Sequence, residues 1–356
     1  MTTTSIIGTN GLPAAYGGFE TMVNHLVQYT EGVNFNVYCP KTEKNKKLKN
    51  YNGAKLIYIP FKANGAQSII YDIFSMLHAW YTSDSMLILG TPGCLILPLK
   101  FFFPKIKIIV NFGGLEWKRE KWGMVARKYL KFTEALSVRF ADNIVADNMA
   151  FVKYIKEYYN KDATLIEYGS DHTSKENFEN HHLYKYPFLN APYFVSVSRA
   201  QEDNNLHLLL EAFSQTPEKQ LVLISNWNVS DYGRKLKQEY ENYKNLHLIG
   251  PIYNQKELDI LRSNAEVYIH SHKYCGTAPS LVEAMFLQLP IISFKTDTNL
   301  FTTENKAMYF ENSEDLISVL KSNSDESIKK NGIEMKEIAN RRYTWKIITQ
   351  KYKELY

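Results

Sequence analysis

The sequence predicts an α/β protein built as two Rossmann-like domains, each a doubly wound parallel sheet. Three observations carry that expectation. At 356 residues the chain is too long for one ordinary core. Short apolar runs alternate with helical stripes, the pattern of strand–helix–strand crossovers. The same alternation then begins again beyond residue 190, as a second domain requires.

In the first series the strand-like runs are Ser5–Gly8, Asn36–Cys39, Lys55–Pro60, Met86–Gly90, Lys107–Asn111, Asn143–Ala146 and Thr164–Tyr168. Several are continuously apolar, as strands covered on both faces should be. Between them Phe19, Met22, Val23 and Leu26 recur at the spacing of one helix face. The second series runs through Tyr193–Ser198, Leu221–Ser225, Leu246–Gly250, Val267–His270 and Ile291–Phe294, with Leu206, Leu209, Leu210 and Phe213 as its first crossover stripe. The polar stretch Ser170–Pro192 reads as the linker. Domain bounds follow at 1–185 and 186–340, with a last helix over 341–356. Ligands of such sheets sit at the carboxyl ends of strands, so a cleft between the two domains is the expected site.

A hydrophobic fraction of 45% with 22% charged residues is that of a folded, water-exposed protein. No run approaches the ~20 apolar residues of a membrane span. The N-terminus, MTTTSIIGTNG, lacks the order of a signal peptide. Three widely spaced cysteines, Cys39, Cys94 and Cys275, argue against a disulfide framework and for a reducing cytoplasm. Up to residue 185 there are 22 Lys and Arg against 16 Asp and Glu; the remainder has 20 against 21. A basic first half fits contact with an anionic membrane or a phosphate-bearing acceptor, or simply a solvated surface with a lysine-rich loop at Lys41–Lys49. No basic helix or aromatic–basic platform points to nucleic acid.

Four motifs lie where such folds bind ligands. Gly8-Thr9-Asn10-Gly11-Leu12-Pro13-Ala14-Ala15-Tyr16-Gly17-Gly18-Phe19-Glu20-Thr21 follows the first strand and opens the first helix. Glycines let backbone approach a ligand, and a helix N-terminus offers amides to phosphate. The spacing is not that of a dinucleotide loop, which leaves a nicotinamide-dependent dehydrogenase remote. Cys275-Gly276-Thr277-Ala278-Pro279-Ser280-Leu281-Val282-Glu283 has two readings. Ser280 and Glu283 form a capping box, or Glu283 receives both ribose hydroxyls while Gly276 and Thr277 offer amides to a diphosphate. Arg199, in Ser198-Arg199-Ala200-Gln201-Glu202-Asp203-Asn204-Asn205, stands at a strand tip suited to a diphosphate leaving group, or to a surface ion pair. Asn111-Phe112-Gly113-Gly114-Leu115-Glu116-Trp117-Lys118-Arg119 places tryptophan beside acid and base, a sugar-stacking arrangement or half-buried packing.

The string His270, His272, Cys275 lacks a second cluster to complete a tetrahedral metal site, and no nucleophile-elbow or kinase signature is present. Phe101-Phe102-Phe103-Pro104-Lys105 reads as a buried turn ahead of the strand at Lys107, with bilayer contact as the other reading.

Taken in order, these motifs resemble glycosyltransferase family 4, in its bacterial rhamnosyltransferase-like branch from capsule and O-antigen clusters. The likeness covers nearly the whole chain. It also includes VADN at Val145–Asn148, YGSD at Tyr168–Asp171, SNWNVSDYGR at Ser225–Arg234, GPIY at Gly250–Tyr253 and LRSNAEVYIHSH. The resemblance implies a GT-B fold and retaining transfer without a metal ion or other cofactor. The donor would be a nucleotide-diphosphate sugar, dTDP-L-rhamnose by default or another hexose from a UDP- or GDP-sugar. The acceptor would be a lipid-diphosphate-linked glycan at the inner face of the cytoplasmic membrane, with the protein peripheral to it.

By residue, the resemblance assigns the donor to Arg199, Asn204, Asn205, Gly276, Thr277, Ser280 and Glu283, with Glu283 holding the ribose. Gly17 and Gly18 match the phosphate and acceptor loop. Glu116, Trp117, Lys118 and Arg119 fall on the acceptor side, and Glu20 and Glu116 are the candidate general bases. Two positions depart from the branch. It usually reads D-G-L-E-W where this chain has Gly113, and G-G-T-N-P-S where this chain has Ala278. A sugar-nucleotide epimerase and a binding protein without turnover are the other readings of the same architecture.

Overall fold

In the computed structural model, which describes residues 1–14, 17–41, 48–322 and 324–356, the apolar runs pair into two sheets. The chain divides into one unit of Met1–Tyr168 with Trp345–Tyr356, and a second of Gly169–Thr344.

The first unit runs β1 (Thr2–Ile7), α1 (Gly18–Tyr29), β2 (Val33–Pro40), β3 (Asn50–Tyr51), β4 (Ala54–Ile59), α2 (Gln67–Thr82), β5 (Ser85–Leu89), β6 (Lys107–Asn111), α3 (Met124–Phe140), β7 (Asn143–Ala146), α4 (Met149–Tyr159) and β8 (Thr164–Leu165). A 3-10 stretch, Cys94–Phe102, follows β5. The strand order is β3-β4-β2-β1-β5-β6-β7-β8, parallel except for the short β3. Every residue of β5 and the last four of β1 are buried, which explains their unbroken apolar character.

The second unit comprises α5 (Asn180–Lys185), β9 (Phe194–Val197), α6 (Leu206–Ser214), β10 (Leu221–Ile224), α7 (Asp231–Tyr240), β11 (Leu246–Ile249), α8 (Gln255–Ser263), β12 (Val267–His270), α9 (Pro279–Phe286), β13 (Ile291–Phe294), α10 (Asp297–Thr302), β14 (Met308–Phe310), α11 (Ser313–Ser322) and α12 (Asp325–Arg342). Its sheet is parallel in the order β11-β10-β9-β12-β13-β14. Leu206, Leu209, Leu210 and Phe213 bury the inner face of α6 in a core shared with β9, β10 and β12.

The polar stretch Ser170–Pro192 is not a free linker, and the unit boundary falls at Tyr168–Gly169 instead of near residue 185. Its polar groups are spent on the second unit. The Ser174 amide donates to Asp259 Oδ2 at 3.1 Å, Asn264 Nδ2 donates to the Glu176 carbonyl at 3.0 Å, and Tyr186 Oη donates to Glu257 at 2.8 Å. The last helix, α13 (Trp345–Lys353), packs within the first unit. Trp345 stacks on His25 of α1 at 4.3 Å, and Tyr352 Oη accepts from Asn111 Nδ2 at the end of β6 at 2.7 Å. The short strands β3 and β14 lie outside the expected runs, because two or three residues carry too little alternation to be read.

In each sheet the order reverses once, between β1 and β5 and between β9 and β12. These are the topological switch points, where loops at the carboxyl ends part to leave a crevice. Both principal glycine-bearing motifs lie on these loops.

Candidate functional site

In the first unit the loop after β1 is held by Glu20. This carboxylate is buried in the first turn of α1, where Oε1 accepts from the Asn10 amide at 2.8 Å, from Asn10 Nδ2 at 3.0 Å and from Thr9 Oγ1 at 3.4 Å. Tyr71 Oη donates to the Thr9 carbonyl at 3.1 Å from the opposite side. Glu20 is thus a clamp on the loop. Gly17, at φ 127°, is the N-cap of α1, followed by Gly18 at the first helical position. A β-carbon on Gly17 would fall 1.9 Å from Glu20 Oε2. Among the described residues no side chain caps α1, and its first amides face the loop. Ala15 and Tyr16, in the middle of this motif, lie outside the described residues, as does 42–47 of the lysine-rich loop.

The turn after β6 carries the acid–aromatic–base cluster. Glu116 faces Arg119 Nη1 at 3.1 Å and Lys121 Nζ at 3.4 Å, with Trp122 Nε1 at 3.5 Å. Burial pushes its carboxyl up, and the two cations more than offset that, leaving it below the usual range. It is fixed as an ion. Trp117 is half-buried beneath Lys131, whose ammonium lies 4.6 Å from the ring; Lys118 reaches the same ring at 5.5 Å. Lys131 is in turn held by the buried Glu134 at 2.8 Å, which also accepts from Tyr159 Oη at 2.6 Å. So Trp117 is a packed platform, and Arg119 is buried against Glu116. Gly113 has φ 68°, and an added β-carbon would lie 3.2 Å from the Phe19 ring. A side chain there must shift Phe19, which gives the departure at this position a steric consequence.

In the second unit the loops after β9 and β12 are laced together. Ser271 Oγ donates to the Asn204 carbonyl at 2.5 Å, Asn205 Nδ2 donates to the Ser271 carbonyl at 3.2 Å, and Asn204 Nδ2 donates to the Arg199 carbonyl at 2.9 Å. Both asparagine side chains are buried and bonded to the loops themselves. Arg199 differs. It is exposed, and its guanidinium makes no ion pair among the described residues.

Of the two readings of this motif, the capping box does not form. The N-cap of α9 is Ala278, with Pro279 at the first helical position and no side-chain cap. Ser280 is two residues past the N-cap, and its side chain meets the Tyr268 hydroxyl. The helix start behind buried Gly276 and Thr277 is thus uncapped at the Ala278 position.

Glu283 points elsewhere, into a buried ionic network invisible in the sequence. Its Oε2 lies 2.5 Å from Arg262 Nη2 and its Oε1 lies 3.2 Å from His172 Nε2. Arg262, 1% exposed, also has Nη1 3.6 Å from Asp259 Oδ1. Burial alone would raise the Glu283 carboxyl; Arg262, then His172, more than offset this and bring it down to about 2. Glu283 is a fixed anion whose oxygens retain acceptor capacity toward a hydroxyl. Nothing in the spacing of Asp259, Arg262 and His172 signalled that they surround it.

His270, at the end of β12, is fully buried, and burial lowers it to about 3, so it is neutral. His272 Nε2 lies 2.7 Å from Ser198 Oγ. Among the described residues no group of three or more His, Cys, Asp or Glu is placed to hold a metal ion, and no helix is long and apolar enough to cross a membrane.

Comparison with known proteins accords with the two-sheet fold. Residues 1–171 match a domain of unknown function, DUF1972, and residues 183–333 match the family described as Glycosyl transferases group 1. No curated protein sequence matches the chain. Among solved structures, sucrose-phosphate synthase from Thermosynechococcus elongatus superposes with a TM-score of 0.83 at 17% identity, over 100% of this chain and 98% of that one. Anabaena HepE, in complex with UDP-glucose, gives 0.76 at 14% identity, over 99% of each chain. WaaG, a glycosyltransferase involved in lipopolysaccharide biosynthesis, gives 0.72 at 12% identity, again over 99% of each. With two parallel-sheet units on the GT-B fold, this chain sets a DUF1972 domain before a group 1 glycosyl transferase domain.

Proposed function

We propose that the protein transfers a sugar from a nucleotide-diphosphate donor to an acceptor hydroxyl, with retention and without a metal ion. The observation that carries this reading is Arg199, exposed and without an ion pair at a strand tip of the group 1 glycosyl transferase domain. The uncapped start of α9 supports it. Arg199 and the amides of the Gly276–Thr277 turn stabilise charge growing on the leaving diphosphate, a role a metal plays elsewhere. Glu283, already ionised, accepts from the ribose hydroxyls.

Neither candidate base suits proton abstraction. Glu20 is tied to its loop and Glu116 to two cations. In this mechanism the departing phosphate takes the acceptor proton on the same face, and the Gly17–Gly18 loop with Lys118 and Trp117 positions the acceptor. The default donor is dTDP-L-rhamnose; the UDP-glucose complex of HepE favours a UDP-hexose as the second reading. The acceptor is a lipid-diphosphate-linked glycan precursor of a surface polysaccharide, met at the inner face of the cytoplasmic membrane.

The test is enzyme-dependent donor hydrolysis across dTDP-, UDP- and GDP-sugars, with Arg199→Met as the diagnostic variant. Because Arg199 is exposed and unpaired, the variant should melt like the parent. It should lose roughly 10²–10³ in turnover, as loss of one charge-stabilising donor does. Full turnover in a folded Arg199→Met protein would remove the arginine from the mechanism. Turnover with none of the donors would sink the transferase reading itself.

A further inference from the structure

The first unit presents a face whose exposure runs against its composition. Along α2 the outward positions are Ile70, Phe74, Leu77 and Tyr81, spaced four, three and four residues apart and so forming one stripe. The only charged side chain in this helix is Asp72, which is buried. A solvated helix ordinarily turns charge outward. Tyr81, 78% exposed, meets Phe103 edge-on at 5.5 Å, and this continues the stripe into the 3-10 stretch after β5. There Phe101 and Phe102 are 87% and 75% exposed. This differs from the buried turn expected from composition: Ile106 takes the buried place, and the two rings project outward. The adjoining α3 brings its last turn to this stretch, where Phe140 packs on the same core cluster as Leu99 and Phe103 and Arg139 is exposed.

Charge gathers on the same segment. Between residues 85 and 140 there are ten Lys and Arg against three Asp and Glu, while the rest of the chain has 32 against 34. The net positive charge of the protein therefore resides in this stretch. Of its three acids, Glu134 is buried under Lys131, Glu116 is neutralised by Arg119 and Lys121, and Glu120 is exposed. Lys105 and Arg139 are exposed and make no ion pair among the described residues, beside the aromatic positions. Lys100 is spent on Asp142.

Exposed aromatic and aliphatic side chains flanked by basic ones are what an anionic lipid surface selects. The rings insert at the headgroup boundary, and the cations meet lipid phosphates. A folded protein partner would need acidic groups to answer the same charge. A second copy of this chain would bring like charge against like. We propose that the face formed by the α2 stripe and Phe101–Phe102 docks on an anionic phospholipid bilayer. The proposal gives a surface to the lipid-linked acceptor in the function proposed above and rests on that reading only for its purpose.

The experiment is co-sedimentation of the full chain with vesicles of equal parts phosphatidylglycerol and phosphatidylcholine, against phosphatidylcholine alone. No sugar donor is present. The protein should pellet with the anionic vesicles, not with the neutral ones, and rising salt should release it. Phe101→Ser with Phe102→Ser should weaken binding at least about tenfold, from the apolar area withdrawn. Lys105→Glu with Arg139→Glu should do likewise. Both pairs replace exposed residues, so unchanged melting temperatures certify the fold. Equal pelleting of parent and both variants, or no pelleting with anionic lipid, would overturn the proposal. So would a dimer in light scattering that the Phe101→Ser, Phe102→Ser pair dissolves, since that assigns the face to a second copy. Failure here leaves donor hydrolysis intact, and failure of hydrolysis leaves vesicle binding intact, so the two readings fall separately.

Discussion

Replacing Arg262 by methionine tests the buried network around Glu283. Methionine fills similar volume, but it leaves Glu283 and Asp259 with no cation between them in a region where Arg262 itself is only 1% exposed. Breaking a buried pair by removing one partner costs roughly 3–5 kcal/mol, because the survivor keeps its desolvation penalty. For a unit of this size that lowers the melting temperature by on the order of 10 °C. The pH dependence identifies the cause. In the parent, Glu283 is depressed to about 2, so its contribution is present above its ordinary value of 4.5 and is lost as pH falls toward 2. In the variant, burial acts without Arg262, and the carboxyl rises. The deficit should therefore be largest near pH 8 and shrink toward pH 5 as Glu283 takes up a proton. Thermal melts at both pH values check this, with Arg262→Met, Glu283→Gln as the compensating double variant that recovers part of the loss. A deficit below about 1 kcal/mol, or one indifferent to pH, would refute the reasoning.

Asp72→Asn should stabilise the protein. Burial raises Asp72 from 3.8 to about 7, so its stability contribution is full below pH 4 and is lost as pH climbs toward 7. Over that window the loss is on the order of 4 kcal/mol, and the amide should melt higher at pH 8 with little difference at pH 4. Chemical denaturation across that range decides it; equal midpoints at pH 8 would dismiss the effect. Gly17→Ala meets both a φ of 127° and Glu20 Oε2, so a loss of about 1–3 kcal/mol is expected, read from the urea midpoint. An unchanged midpoint would mean that the glycine turn is relaxed.

Much of the architecture was legible. Lys107–Asn111, Asn143–Ala146, Val267–His270 and Ile291–Phe294 are strands with the bounds their apolar runs suggested. The glycine loop after β1 and the turn before α9 lie at switch points, as their place after strands implied. The roles of individual side chains were less legible. Asn204 and Asn205 hold loops together, and Ser280 does not cap its helix, because Pro279 makes Ala278 the last residue before the first turn. The stretch from Ser170 to Pro192 looked like a linker because its residues are polar; it is polar because it bonds to the α8 region.

By itself, then, the amino-acid order determined what depends on near neighbours: the two parallel sheets, whose strands announce themselves by unbroken burial, and the glycines that shape their loops. Only the tertiary structure decided which groups distant in the chain share a low-dielectric site, as Arg262, His172 and Glu283 do. It also decided which apolar residues meet water. Phe101 and Leu97 belong to the same run of sequence, yet one is buried and the other bare, because local composition is blind to whether a neighbouring layer covers it.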